Sequence, residues 1–575
     1  MNINIEKVPF STAGSYLCVS KVVAAIWKPV NVTTEGLFIR SVREAQSSAA
    51  LAGVEALDDL GNVLPTIIEA TPWSLTLRSE NENNGQITMA FDGPSRLRIA
   101  GTGMGLKLCL PELTYDEFMT YDENRTIVNS FPKNCRLLFW RLSGVIKLTE
   151  SSDEAVPKWK APKLVEMSGD NWELLIEEYD WAYEEKPVSR SFMQCVDAEK
   201  EAFINYLKLV GVEAFPEKYR EAVKQAAYVN YSAQVGPDEL LKGRVMLMSK
   251  NWMSRIWTWD CAFNAVEVSG YDAKSAWANF TSPFNIQHSS GMLPDAMNNR
   301  AVVSAYTKPP VHGWALRHLR AEGILDDEKR NWIYPRLLKW ASSWYKTMDW
   351  DNDGMCQYSH GNDSGWDNCS YFKIGAPIEG PDLAAYLTIC WDELACLATE
   401  LGKPEEAKEH KARGDKQLND LIRHSWDGEK FNVYQSGTHI YQDDCDSLLP
   451  FLPILLGDRL PKEIFNKLAA GLKEKGRFET PYGLATERVG GKHYISDGYW
   501  LGPIWAPPMM FVVEGLINGG EVEFGKLLAK RFCDNCVNNG FAENYDAETG
   551  ADLRDRAYTW TSSVFLTLAR KYLSE

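Results

Sequence analysis

From about residue 215 to the end, the chain repeats one pattern: apolar residues at i, i+3 and i+4. PEKYREAVKQAAYVNYSAQV, HGWALRHLRAEG, DEKRNWIYPRLLKWASSWYKTM, PDLAAYLTICWDELACLATELG, EEAKEHKARGDKQLNDLIRHSW, GEVEFGKLLAKRFCDNCVNNG and AYTWTSSVFLTLARKYLSE all carry it. With AKSAWANFTSPF, PKEIFNKLAAGLKEKG and weaker segments near 259–270, 444–455 and 503–517, about twelve helices are expected. An amphipathic helix must bury its apolar stripe against another layer. Twelve in succession suit six helical hairpins closed into a ring, an (α/α)6 barrel. The first 190 residues have a different period. LFIRSVR, PTIIEA, WSLTLRSE, GQITMAF, SRLRIAG, CRLLFWRLSGVIKL and WELLIEEYDWAY are short runs rich in β-branched and aromatic residues, which predicts a β-sandwich. DAEKEAFINYLKLVG (197–211) returns to helical spacing. The expected fold is therefore an N-terminal β-sandwich (1–190), a helical linker (191–214) and an (α/α)6 barrel (215–575).

Charge and cysteine usage exclude several partners. The formal net charge of −17 argues against a nucleic-acid or anionic-membrane partner, since both need basic patches. No run of ~18 apolar residues could span a bilayer, and the N-terminus lacks a basic start followed by an apolar run. Twelve scattered cysteines in a large chain do not resemble a small disulfide-stapled fold. A chain with reduced thiols in the cytoplasm is expected. The lone CxxC at Cys533 and Cys536 has no second pair at zinc spacing and is read as structural.

The tryptophans are uneven: fifteen of 21 follow residue 250. Several lie between the helical patterns, in loops, where exposed indoles could stack on sugar rings. GNDSGWDNCSYF (361–372) places Trp366 and Asp367 in a Gly- and Asn-rich turn. NWMSRIWTWDCAFNA (251–265) brings Trp257, Trp259 and Asp260 to the start of a helix, where Asp260 either caps the helix or binds ligand. GYWLGPIWAPP (498–508) supplies Tyr499, Trp500 and Trp505, and FAENYDAETG (541–550) supplies Glu543. DWDNDG (349–354) begins like a calcium loop, but its twelfth position is His360 rather than a bidentate Glu, so a plain acidic turn is expected. The eight histidines form neither HxH nor HExxH. No nucleophile elbow, P-loop or dinucleotide fingerprint stands out. What remains is carboxylates with aromatics, the requirement of glycoside hydrolysis.

In order, SKNWMSRIWTWDCAFNA, DSGWDNCSYF, PDLAAY, YGLATE, GYWLGPIW and FAENYDAETG resemble a clan of inverting α-glycosidases. The clan holds processing α-glucosidase I and its bacterial relatives (glycoside hydrolase family 63) and the trehalases (family 37). The resemblance covers roughly 245–575. It implies Asp367 as general acid and Glu543 as general base. It also implies substrate contacts from Trp257, Trp259, Asp260, Trp366, Tyr499, Trp500 and Trp505, and the expected binding set adds Gln287 and His312. The clan's acid motif begins with Glu where this chain has Asp363. Asp367 is expected to be buried against Trp366 near other carboxylates, so that it holds its proton. No metal and no cofactor is required, and the expected partner is a small carbohydrate, an α-linked disaccharide or glycoside. The alternatives are a sugar phosphorylase of similar architecture, a helical-barrel epimerase and an inactive carbohydrate-binding protein.

Overall fold

The computed structural model describes residues 1–22, 36–43, 50–80, 85–110, 117–130, 135–150, 163–441 and 443–573. They gather into two units. The first comprises Met1–Val210, Ala227–Arg255 and Asn298–Arg300. The second comprises Gly211–Ala226, Ile256–Met297 and Ala301–Glu575.

The first unit is a sandwich of antiparallel strands. β1 (Leu17–Val22), β2 (Gly36–Ser41), β3 (Ala50–Leu57) and β4 (Val63–Leu64) are followed by β5 (Thr66–Ala70), β6 (Leu75–Ser79), β7 (Gln86–Phe91) and β8 (Arg96–Thr102). β9 (Gly105–Leu110), β10 (Glu117–Thr120), β11 (Arg125–Ser130), β12 (Cys135–Glu150) and β13 (Lys163–Tyr179) complete it. β12 and β13 pair with each other along most of their length, through register shifts between Arg141 and Val145. The start of β13 pairs with β9 and its later part with β8. β13 therefore joins two leaves, β1-β2-β3-β9 on one and β8-β7-β6-β5 on the other, while β12 pairs with β11 and β13. Side chains of both leaves, among them Ile39, Leu77, Ile99, Leu108, Val165 and Trp172, share one core. Gly101 makes room for Trp172, because a Cβ there would lie 2.1 Å from the indole. α1 (Phe192–Val210) follows, packing against β7.

The second unit is helical. It takes in the start of α2 (Arg220–Ala233), then α3 (Asp260–Val268), α4 (Ala273–Thr281), α5 (His312–Ala321), α6 (Asp327–Thr347) and the short α7 (Gly361–Ser364). α8 (Pro381–Glu400), α9 (Pro404–Ser425), a 3-10 stretch (Leu449–Arg459), α10 (Lys462–Leu472), α11 (Ala506–Asn518), α12 (Val522–Asn539) and α13 (Thr559–Tyr572) follow. α3, α5, α8, the 3-10 stretch, α11 and α13 each pack on the next, and α13 returns to α3, closing an inner ring of six. α4, α6, α9, α10 and α12 pack outside it. Beside α13 the outer layer continues at the start of α2, where Tyr219 meets Phe565 edge-on and donates to Asp534 of α12. This is the (α/α)6 barrel the periodicity predicts, preceded in sequence by the sandwich. Cys533 and Cys536 are buried thiols on successive turns of α12, in line with a structural role. Among the described residues no helix is long and apolar enough to cross a membrane.

Candidate active site

The turn that carries Asp367 is held by its small residues. His360 Nδ1 accepts from Asn362 N (3.0 Å) at the start of α7. Asp363, 3% exposed, accepts from the amides of Ser359, His360 and Thr307 at 3.0–3.1 Å. Its carboxylate is thus spent on backbone, and the shorter side chain suffices for that task. Gly361 lies so close to the Asp367 carbonyl that a Cβ would sit 1.9 Å away, and Gly365, at φ +72°, would put one 2.5 Å from Trp259. Both positions need glycine for close approach. Ser364 Oγ then receives Trp366 N (3.0 Å), and the next side chain, Asp367, accepts from Tyr499 Oη (3.2 Å). Lys308 Nζ lies 3.9 Å from Asp367 and 3.0 Å from Asp295, and donates to Asn362.

Glu543 follows the end of α12. Its amide donates to Asp555 O (2.6 Å), its carbonyl accepts from Trp560 Nε1 (3.3 Å), and the next two residues pair with Ile504–Trp505. The backbone of the loop is therefore fixed on two sides. Its carboxyl is 5% exposed. Burial and the charge of Asp555 push it up to about 8, against the pull of Arg554. Asp260 opens α3 at 2% exposure, where burial raises it to about 8 as well. Lys308 opposes that rise, and Asp295 and Asp367 add to it. Asp260 does not cap the helix; it accepts from Tyr558 Oη (3.4 Å). Glu543 feels Asp260, Asp260 feels Asp367, and the Tyr499 hydroxyl feels both Asp367 and Glu543. The three acids therefore share one electrostatic site. Buried carboxyls raised in this way, Glu543 and Asp260, are suited to general acid–base chemistry.

Three expectations are corrected. Trp259, Trp366, Trp500 and Trp505 are not exposed stacking surfaces: each is at most 2% exposed. Trp500 stacks on Trp505 at 4.0 Å, Trp366 packs on Trp500 at 4.8 Å, and Trp560 meets both Trp259 and Trp505 edge-on. They form a packed aromatic cluster, and of the five expected indoles only Trp257 keeps partial exposure. Gln287 and His312 do other work. The Gln287 amide donates to the carbonyls of Gly291 and Arg336. His312 is fully buried between Phe284 and Trp340 with Nε2 on Thr258 O, and burial lowers it to about 3. Finally, Asp367 is not deeply buried; its side chain is 31% exposed. A cavity of about 580 Å³ is lined by Met292, Tyr306, Thr307 and Asp363, and neither Asp367 nor Glu543 is among its lining residues.

Lys308, Asp295, Arg554, Asp555, Tyr558 and Trp560 join the site without any mark in the sequence. Arg554 has the nearest thing to one, since it follows the FAENYDAETG motif by four residues. Its guanidinium lies 5.0 Å from the Tyr499 ring centre.

Comparison with known proteins bears on the family and the fold. The model of the mannosylglycerate hydrolase MGH1-like glycoside hydrolase domain matches residues 253–561, more than half of the chain. A mannosylglycerate hydrolase of Rubrobacter radiotolerans is 21% identical over 439 residues, 57% of this chain and 96% of the relative. A probable mannosyl-oligosaccharide glucosidase of Schizosaccharomyces pombe is 24% identical over 303 residues, 45% of this chain; the match spans only 37% of that relative's length. In structure, a bacterial glucoamylase complexed with acarbose superposes with a TM-score of 0.63 at 10% identity, covering 100% of this chain and 96% of that one. That likeness concerns the fold, sandwich and barrel together.

Proposed function

The chain belongs to the MGH1-like glycoside hydrolase family, and from that premise we propose that it cleaves a small α-linked glycoside with inversion, Asp367 acting as general acid and Glu543 as general base. One observation carries the pairing. The Tyr499 hydroxyl donates to Asp367 and lies within the field of Glu543, so one side chain ties the two carboxyls to a single site. In the proposed step Asp367 gives its proton to the glycosidic oxygen as the bond to the anomeric carbon breaks. Glu543 takes a proton from a water that attacks the opposite face. An inverting pair stands roughly 6.5–9.5 Å apart to admit that water. Asp260, whose charge acts on Glu543, and the partly exposed Trp257, three residues before it, are the proposed sugar contacts. Tyr499 holds Asp367 in place, and Lys308 offsets the surrounding negative charge. Neither carboxyl's role requires a metal.

The relative named mannosylglycerate hydrolase supports a glycosyl-glycerate as substrate, ahead of a polymer. A panel of α-linked disaccharides and glycosyl-glycerates, incubated with and without phosphate, tests this. Release of free monosaccharide from one of them, fastest from a glycosyl-glycerate and indifferent to phosphate, is expected. Cleavage only with phosphate, giving a sugar phosphate, would overturn hydrolysis in favour of phosphorolysis. Binding without cleavage of any member would overturn the enzymatic reading of these acids.

A further inference from the structure

Away from these carboxyls, four segments of the helical unit bring metal-binding atoms together. Asp353 lies in the loop leaving α6, and Glu379 ends the short strand Ile378–Glu379. His424 is in the last turn of α9, and His439 is in the turn after the strand Tyr434–Gln435, which pairs with Ile378–Glu379. One ligand atom from each lies within 4.8 Å of the others.

Glu379 points to a ligand. It is fully buried, yet neither of its carboxylate oxygens accepts a hydrogen bond. Other deeply buried carboxylates do better: Asp382 accepts from Tyr358, Glu393 from Arg317 and Arg320, and Glu487 from Ser370. A buried charge needs a counter-charge close to it. His424 Nε2 stands 2.8 Å from Glu379 Oε2, but out of hydrogen-bonding direction, and it too lacks a hydrogen-bond partner. His439 Nε2 lies 3.3 Å from Asp351 Oδ2, its hydrogen-bond partner, 3.4 Å from Asp353 Oδ2 and 3.9 Å from Glu379 Oε1, and His424 Nδ1 lies 3.5 Å from the same Asp353 oxygen. Ligands held at ~2.0–2.2 Å around one tetrahedral ion stand about 3.3–3.6 Å apart. The His439–Asp353 distance of 3.4 Å falls in that range, the His439–Glu379 distance of 3.9 Å is slightly longer and the His424–Glu379 distance of 2.8 Å shorter. The poor hydrogen-bond angle is what two groups aimed at a shared third point would give.

We infer that Asp353, Glu379, His424 and His439 form a binding site for a divalent transition-metal ion of the zinc class. Two imidazoles and two carboxylates suit zinc, whereas calcium takes six to eight oxygens. The calcium-like sequence from Asp349 lacks its final Glu, and Asp351 of that loop already accepts from Gly437 N (2.8 Å). The ion would act as a staple. The Tyr358 backbone pairs with Ile378, the residue before Glu379, and Tyr358 lies two residues ahead of the turn that begins at His360 and carries Asp367. Fixing Glu379 to α9 and to the His439 turn fixes one end of that segment.

The test uses the full chain, stripped with a chelator and returned to metal-free buffer. Calorimetry with Zn²⁺ alone should give one tight equivalent, and the thermal midpoint should rise with Zn²⁺ concentration, because an ion that binds only the folded chain stabilises it. His439 is 46% exposed, so His439→Ala should fold as the parent does. It should lose more affinity than the ~10–100-fold that outer-shell changes produce. A second group, Asp444, Cys445 and His493, also has ligand spacing, and His493→Ala should leave the zinc isotherm unchanged. Several results would overturn the site. They are zinc binding that ignores His439→Ala or disappears in His493→Ala, a midpoint that only Ca²⁺ moves, or no binding at all, which would leave a simple His424–Glu379 ion pair.

Discussion

Asp367→Asn should lower turnover of the natural glycoside by ~10²–10⁴-fold, the usual worth of a positioned general acid. The substitution removes the transferable proton and little else. The amide keeps an oxygen to accept from Tyr499 Oη, and a side chain that is 31% exposed contributes little to the core. The melting midpoint should therefore barely move. The loss should depend on the leaving group. A glycosyl fluoride needs far less help to depart than an alcohol, so the variant should keep much of the parent rate on it. An equal loss on both substrates would place Asp367 outside proton donation.

Glu543→Gln should be as damaging, ~10²–10⁴-fold, on good and poor leaving groups alike, because water must be activated in either case. Its pH behaviour distinguishes it. Burial and Asp555 raise the Glu543 carboxyl to about 8, and a base works only when ionised. The parent's kcat/KM should therefore climb as pH rises towards that value, and the residual activity of the variant should lack this rise. Stability should move the other way. With a folded pKa of about 8 against an ordinary 4.5, the folded chain holds a proton that the unfolded chain releases over that window. This group's effect on stability thus becomes increasingly unfavourable as pH rises from about 4.5 to about 8. The amide carries no such penalty. The variant should melt above the parent at pH 9, with the gap closing towards pH 5. A variant that melts lower at every pH would mean that the loss of activity is a folding defect.

The sequence made the outer barrel plainer than the inner one. The three weak helical segments, near 259–270, 444–455 and 503–517, correspond to α3, the 3-10 stretch and α11, and all three stand in the inner ring. All nine residues of α3 are buried, as are nearly all of α11. A helix covered on every side has no polar face, so it shows no amphipathic period. In the 3-10 stretch Pro453 and Gly457, at φ +56°, break the regular helix as well. In the sandwich, β3 (ALAGVEAL) and β9 (GLKLCL) lack the β-branched density of their neighbours and go unmarked in the sequence.

The acids of the site were legible because each sits in a short motif whose glycines and aromatics constrain the loop. The state of the tryptophans was not. An indole in a loop reads the same whether it faces solvent or stacks 4.0 Å from another, as Trp500 does on Trp505. The Lys308–Asp295 pair was hidden for another reason. Its members belong to no motif, and only the fold brings them to Asp367, which lies 59 residues beyond Lys308. Asp363 shows the reverse. In sequence it is only a departure from the clan's Glu, whereas in structure it accepts from three backbone amides and so holds the turn that carries Asp367.

The central claim is that Asp367 and Glu543 act once each, from opposite faces of one anomeric carbon. Proton NMR of an α-glycoside digest, recorded in the first minutes before mutarotation, reads this directly. The account predicts the β-anomer as first product. A retaining pair would stand only ~5–5.5 Å apart and pass through a covalent intermediate. Initial release of the α-anomer would contradict both the roles of these two carboxyls and the single displacement they are proposed to perform.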